Sequence, residues 1–102
     1  MTDTVRDDSV RQRFELEVAG ALAFVDYLRD GRALLLTHAE VPPALRGAGV
    51  GSVLVKGILT LVRERGEKVV PLCAFVAQYM QRHPETRDLL ADQQDGLDTP
   101  NN

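Results

Sequence analysis

The segment Leu45-Arg46-Gly47-Ala48-Gly49-Val50-Gly51-Ser52 sits where one periodicity gives way to another. Before it, apolar residues alternate. After it, Val50, Leu54, Ile58 and Leu61 recur at helical spacing, with Lys56, Thr60, Arg63 and Glu64 on the far side. The segment is therefore a loop between a strand and a helix N-terminus. Its glycines let the backbone approach a ligand closely. The first-turn N–H groups of the helix lack intrahelical partners, and the helix dipole adds roughly half a positive charge. Together these make a site for a phosphate or pyrophosphate.

Three phosphate-binding patterns compete for such a loop. A P-loop closes on Gly-Lys-Ser/Thr, but Gly51-Ser52-Val53 has no lysine, which argues against nucleoside triphosphate hydrolysis. A dinucleotide fingerprint needs a third glycine where Ser52 stands, and it opens the first βαβ unit of a much longer domain. The third pattern, Arg/Gln-x-x-Gly-x-Gly/Ala, is matched at every position by Arg46-Gly47-Ala48-Gly49-Val50-Gly51.

Backwards from the loop, Ala33 to Glu40 reads as a strand. Arg29-Asp30-Gly31-Arg32 precedes it, and Asp-Gly is a strong two-residue hairpin signal because both central positions need positive φ. Ala21 to Leu28 is the partner strand, and Ala19-Gly20 is another tight turn. From Arg11, the residues Phe14, Leu16 and Val18 alternate with Glu15 and Glu17, which predicts a strand with one solvated face at a sheet edge. A two-residue turn at Asp30-Gly31 would pair Ala23 with His38, Val25 with Leu36, and Tyr27 with Leu34. One face then carries Val25, Tyr27, Leu34, Leu36, His38 and Glu40; the other carries Leu22, Phe24, Leu28 and Leu35. Both are largely apolar, so both are expected to lie under helices.

Forward of the loop, the helix runs for about four turns and stops near Gly66. Lys68 to Cys73 is a short apolar strand whose Pro71 marks a bulge or the end of regular pairing. A second helix follows from Ala74 to Arg82, before Pro84. The order β-β-β-α-β-α implies a right-handed crossover to a parallel neighbour. The fold class is α/β (α+β): a mixed, mostly antiparallel sheet with two helices. Residues 1–10 and 92–102 are polar, lack periodicity and read as disordered ends of a domain spanning 11–91.

Composition narrows the function classes. The chain has 102 residues, enough for one domain, with 12 basic and 15 acidic side chains and a net charge of −3. No block of lysine or arginine proposes nucleic acid or a membrane surface as partner. The single cysteine, Cys73, excludes an intramolecular disulfide and a multi-cysteine zinc module, and no metal site is proposed. The apolar runs Ala19–Val25 and Gly57–Val62 are too short to span a bilayer, and the N-terminus does not resemble a signal peptide, so a cytoplasmic protein is expected.

The glycine loop, together with His38-Ala39-Glu40-Val41-Pro42, Pro71-Leu72-Cys73-Ala74-Phe75-Val76, Tyr79 and His83-Pro84-Glu85, resembles the GNAT acetyltransferase superfamily, in particular a compact group of roughly a hundred residues. The resemblance covers about Phe14 to Leu90. Ala39 departs from the threonine of that group, and Ala74 from its proline or serine. The resemblance implies acetyl-CoA binding. The strand ending at Val41 would splay from the parallel strand ending at Cys73, pantetheine would enter the gap, and the amides of Arg46, Gly47, Ala48, Gly49, Val50, Gly51 and Ser52 would hold the pyrophosphate. It also implies that the N-terminal helices with which larger members shape the acceptor pocket are missing here.

Each candidate residue has a plainer reading beside the functional one. Glu40, at a strand end after Leu34 and Leu36, is a candidate base for an amine if the apolar face raises its pKa; otherwise it is a solvated strand end. His38, about 7 Å away by strand rise, is either its catalytic neighbour or a hydrogen-bonded sheet histidine. Cys73, just before a helix N-terminus, is an acylated nucleophile, a cofactor contact or a small packed hydrophobe. Tyr79 shares a helix face with Phe75; the resemblance places it near a general acid, and packing or a cofactor wall is the plainer role. Arg46 is a phosphate partner or an exposed loop arginine. His83 is expected to end the helix.

The expected function is N-acetyl transfer from acetyl-CoA to an amine by direct attack in a ternary complex. A non-catalytic CoA-binding module is the alternative, and a structural protein with an unused glycine loop is a third reading. The expected partners are acetyl-CoA and an amine acceptor, with the chain a monomer or weak homodimer.

Overall fold

The structure, a computed structural model, describes residues 4–91. One sheet holds five strands in the order β1 (Arg6–Asp8), β2 (Arg13–Val18), β3 (Ala21–Asp30), β4 (Ala33–Glu40) and β5 (Lys68–Pro71). The first four form an antiparallel meander. Helix α1 (Val50–Glu64) then crosses over to β5, which lies parallel to β4. Helix α2 (Ala74–Arg82) follows, and 3-10 helices occupy Pro43–Leu45 and Pro84–Leu89. This is the expected mixed class, with one strand added at the front.

That added strand lies in the stretch read as a disordered end. Arg6–Asp8 pair with Arg13–Glu15, so β1 takes the sheet edge that the sequence reading assigned to the next strand. Three polar residues are too few for periodicity to reveal them; side-chain bonds hold them. Asp8 Oδ1 accepts the Arg11 amide at 3.1 Å and closes the turn. Asp7 accepts from the Tyr27 hydroxyl at 2.6 Å and from Arg65 at 2.8 Å. Val5 packs against α1 at Gly57, in the space a side chain there would need. Residues 1–3 and 92–102 lie outside the described residues.

Both helices cover the same face. Leu54, Val55, Ile58 and Val62 of α1 bury with Phe14, Leu16, Val25, Leu34 and Leu36, and Val76 and Met80 of α2 join that single cluster. The opposite face, also expected to be covered, is bare among the described residues. Leu22, Phe24 and Leu35 are half-buried and Leu28 is 53% exposed. Tight turns join β2 to β3 and β3 to β4, so the meander contains no segment that could cross to that side.

The hairpin register also differs. The loop is Gly31-Arg32, with Asp30 opposite Ala33, one residue beyond the expected Asp30-Gly31. Tyr27 therefore faces Leu36 rather than Leu34. Thr37 is then an extra residue: the ladder resumes with Asp26 opposite His38, Val25 opposite Ala39, and Phe24 opposite Glu40. A bulge in a period-two strand reverses the alternation beyond it. Leu34 and Leu36 are core residues, but past Thr37 it is Ala39 that packs against the core, while His38 and Glu40 emerge on the bare face beside Phe24. The expectation that His38 and Glu40 share the face of Leu34 and Leu36 is corrected by this one residue.

Candidate active site

The strands β4 and β5 part just where the bulge begins. Their parallel pairing ends at Leu36 and Pro71, and Leu36 O accepts the amides of both Leu72 and Cys73, at 2.9 and 3.0 Å. Proline brings no N–H to continue the ladder. Thr37–Glu40 carry on beside β3 alone. A cavity of about 230 Å³ lies beyond, lined by Val41 after β4, by Leu45 to Gly47 and Gly49 to Ser52 of the loop, and by Phe75 on α2. Ala48, expected with the others, does not line it; its amide bonds to Leu45 O at 3.4 Å.

Local chemistry explains the loop. Gly47 and Gly49 have φ of 82° and 75°, a region that side-chain-bearing residues rarely adopt. Gly49 O accepts the Val53 amide at 3.1 Å, which starts the helical ladder and leaves the amides of Val50, Gly51 and Ser52 without intrahelical acceptors. Gly51 is required for a different reason: a Cβ there would collide with the Phe75 ring. That close approach holds the N-termini of α1 and α2 together. Arg46 donates from Nε to Val41 O at 2.9 Å, tying the loop to the end of β4.

His38 and Glu40 meet on the bare face, Nε2 to Oε2 at 2.9 Å, and both side chains are more than half exposed. The apolar setting expected for Glu40 is therefore not found. Glu40 precedes Val41 in the chain, but neither His38 nor Glu40 lines the cavity. Cys73 is half-buried against the core at the start of α2. Tyr79 lies apart: its ring stacks on His83 with centroids 3.9 Å apart, and burial, aided by Glu85, pushes its pKa up. It lines a separate cavity of about 280 Å³ with Lys56, Arg63 and Leu89. His83 holds the end of α2, its Nδ1 2.7 Å from Tyr79 O. The structure thus gathers Val41 and the loop, leaves the His38–Glu40 pair on the bare face outside the cavity lining, and puts Phe75 rather than Tyr79 at the loop cavity. Phe75 stood out in the sequence as part of the Pro71–Val76 segment and as a neighbour of Tyr79 on one helix face, with no role of its own; its partner Gly51, a glycine inside a helix, is the signal that marks it.

Comparison with known proteins gives the family and the fold. A family model described as GCN5-related N-acetyl-transferase matches residues 13–89. Protein NATD1 of Mus musculus is 31% identical over 84 residues, covering 78% of this chain and 76% of that protein. A shikimate kinase of Paracidovorax citrulli is 42% identical over 84 residues, but the match spans only 44% of its length. The solution structure of a GCN5-like protein from Staphylococcus aureus superposes with a TM-score of 0.66 at 23% identity, covering 85% of this chain and 86% of the other, and so shares the fold. With most of its length matched by the family model and by NATD1, the chain belongs to the GCN5-related N-acetyltransferase (GNAT) family.

Proposed function

We propose that this protein transfers the acetyl group of acetyl-CoA to a primary amine by direct attack in a ternary complex. The observation that carries this reading is the cavity itself: it is lined by Val50, Gly51 and Ser52, whose amides have no intrahelical acceptor, and by Val41, which follows the part of β4 no longer paired with β5. These amides and the helix dipole suit a pyrophosphate, and Arg46 adds a cation beside them. The gap between Val41 and Cys73 suits the pantetheine arm, and Cys73 serves there as a contact.

The amine arrives as an ammonium and must lose a proton before it can attack. The exposed Glu40 carboxylate, hydrogen-bonded to His38, takes that proton and passes it to solvent. The neutral nitrogen then attacks the thioester carbonyl; a C–N bond forms, the C–S bond breaks, and the second amine proton goes to the departing thiolate. The balance is one amide, one thiol and one proton released. Tyr79, stacked on His83 and lining another cavity, acts as a packing residue.

Calorimetric titration with acetyl-CoA, followed by an acceptor screen, tests the reading. Micromolar binding is expected, and no binding at millimolar ligand would overturn it. Glu40→Gln should lower turnover at least about tenfold while leaving acetyl-CoA affinity unchanged. Unaltered turnover would remove Glu40 from the chemistry. Binding without turnover on any amine would favour the non-catalytic module.

A further inference from the structure

We infer that two copies of this chain pair through the outward face of α1, antiparallel about a two-fold axis at Thr60, so that Lys56 of each copy meets Glu64 of the other. The inference is independent of the acetyltransferase reading. It names a surface and its partner, a second copy of this chain.

Helical spacing puts two rows of residues on that face. Val53, Gly57 and Leu61 are four apart, and so are Lys56, Thr60 and Glu64. The second row is fully exposed; in the first, Val53 is 49% exposed and Leu61 only partly buried. Gly57 brings no side chain, and Val5 lies in the space one would take, so Val53, Val5 and Leu61 make an apolar wall beside the polar row. The two rows and the segment at Val5 line a cavity of about 500 Å³. It shares no lining residue with the loop cavity.

A row of residues four apart on one helix fits the groove between two such rows on another, with the axes crossing at about −50°. When the helices are identical and antiparallel, the row Lys56-Thr60-Glu64 enters the groove of the second copy and runs beside its own reversed copy. Thr60 then meets Thr60, and Lys56 meets Glu64 at both ends. Within one chain these two charges do not meet: eight residues apart, they stand about 12 Å from each other along the helix. Among the described residues neither forms an ion pair. Thr60 at the axis is small, and its hydroxyl already donates to Lys56 O at 2.8 Å. The methylenes of the incoming Lys56 and Glu64 lie along the apolar wall while their charged heads pair. A contact confined to one helix face buries less than about 1,200 Å², the range of weak and transient complexes, and a dissociation constant of roughly 0.1 mM is expected.

Sedimentation equilibrium of the full chain from about 10 μM to about 1 mM is the test, and the mean mass should climb from one copy toward two across that range. Lys56→Glu and Glu64→Lys should each raise the dissociation constant at least about fivefold, because the two-fold axis turns one reversal into two like-charge contacts. Glu64→Lys moves the net charge from −3 to −1, so its weakening would not come from overall repulsion. The two reversals combined should bring the constant back to within about twofold of wild type, since each lysine again faces a glutamate. Thr60→Arg, which sets two guanidinium groups against each other at the axis, should keep the chain monomeric at about 1 mM. Reversals that leave the constant unchanged, or a double variant no better than the single ones, would overturn the inference. So would a wild type that stays monomeric to about 1 mM, and the groove would then belong to a different partner.

Discussion

On the helix-covered face of the sheet, Phe14, Ala23, Val25, Leu34 and Leu36 are fully buried, and the polar groups stand at its rim, where Tyr27 bonds to Asp7 and Arg65 to the same carboxylate. The bare face is built from the alternate residues of the same strands, yet it carries Glu15 between two arginines, an Asp26 with no ion pair among the described residues, the His38–Glu40 pair and an exposed Leu28. Burial of apolar surface is the main source of stability, so the first face supplies the fold. The second is freed from that duty and is available for chemistry. Substitutions of similar size should therefore have very different consequences on the two sides.

The largest effect is expected at the centre of the covered face. Phe14→Ala should cost about 3–5 kcal/mol in a denaturant titration, through lost burial and the cavity left behind. A loss no greater than that of a surface substitution would undo the division between the faces. Gly51→Ala acts where α1 and α2 meet. Crowding against Phe75 should cost about 1–3 kcal/mol. Adding Phe75→Ala should recover part of the loss, and a double variant no more stable than Gly51→Ala would show that the ring is not the obstacle.

The rim of the covered face can be read by pH. Burial, reinforced by Asp7, pushes the Tyr27 hydroxyl up to about 12 from its ordinary value of 10.0. A raised pKa contributes stability that is complete below the ordinary value and is lost as pH rises through the folded one. Tyr27→Phe should thus be less stable than wild type by about 1 kcal/mol at neutral pH, from the lost hydrogen bond. That deficit should shrink between pH 10 and 12, and a deficit constant across this window would contradict the assignment. The smallest effect belongs to the bare face: Leu28→Ala should change stability by no more than about 0.5 kcal/mol.

What could be read from sequence follows how local each signal is. The glycine loop, both helices and the end of β5 at Pro71 depend on residues close together in the chain, and each lies where its residues predicted. The Ala19-Gly20 turn was also legible, with both residues at positive φ. Pairing across strands was not. Leu34-Leu35-Leu36 supports either alternation, and only Ala39, small and set between two ionisable residues, hints that the buried positions change phase after Thr37. Strand β1 was invisible because its three residues are polar and are held by contacts far along the chain, such as Asp7 with Arg65. The bare face read as buried because an apolar pattern says that a surface can be covered, not which segment covers it, and none of the described residues does. Of the residues expected at the candidate site, Val41 and all of the loop but Ala48 line the cavity, but the place of Phe75 emerges only from the approach of two helices.

Thr37 gives β4 something like a reading frame. With two side-chain orientations as its letters, the strand holds one inserted character. Without residue 37 the alternation would run unbroken from Leu36 to His38, Ala39 and Glu40, each still on the face it occupies now. A change of chain length at this position is silent for the core. Its effect falls on the parting of β4 from β5, so among relatives of this protein the length of β4 is a character that can vary with the chemistry while the hydrophobic pattern stays the same.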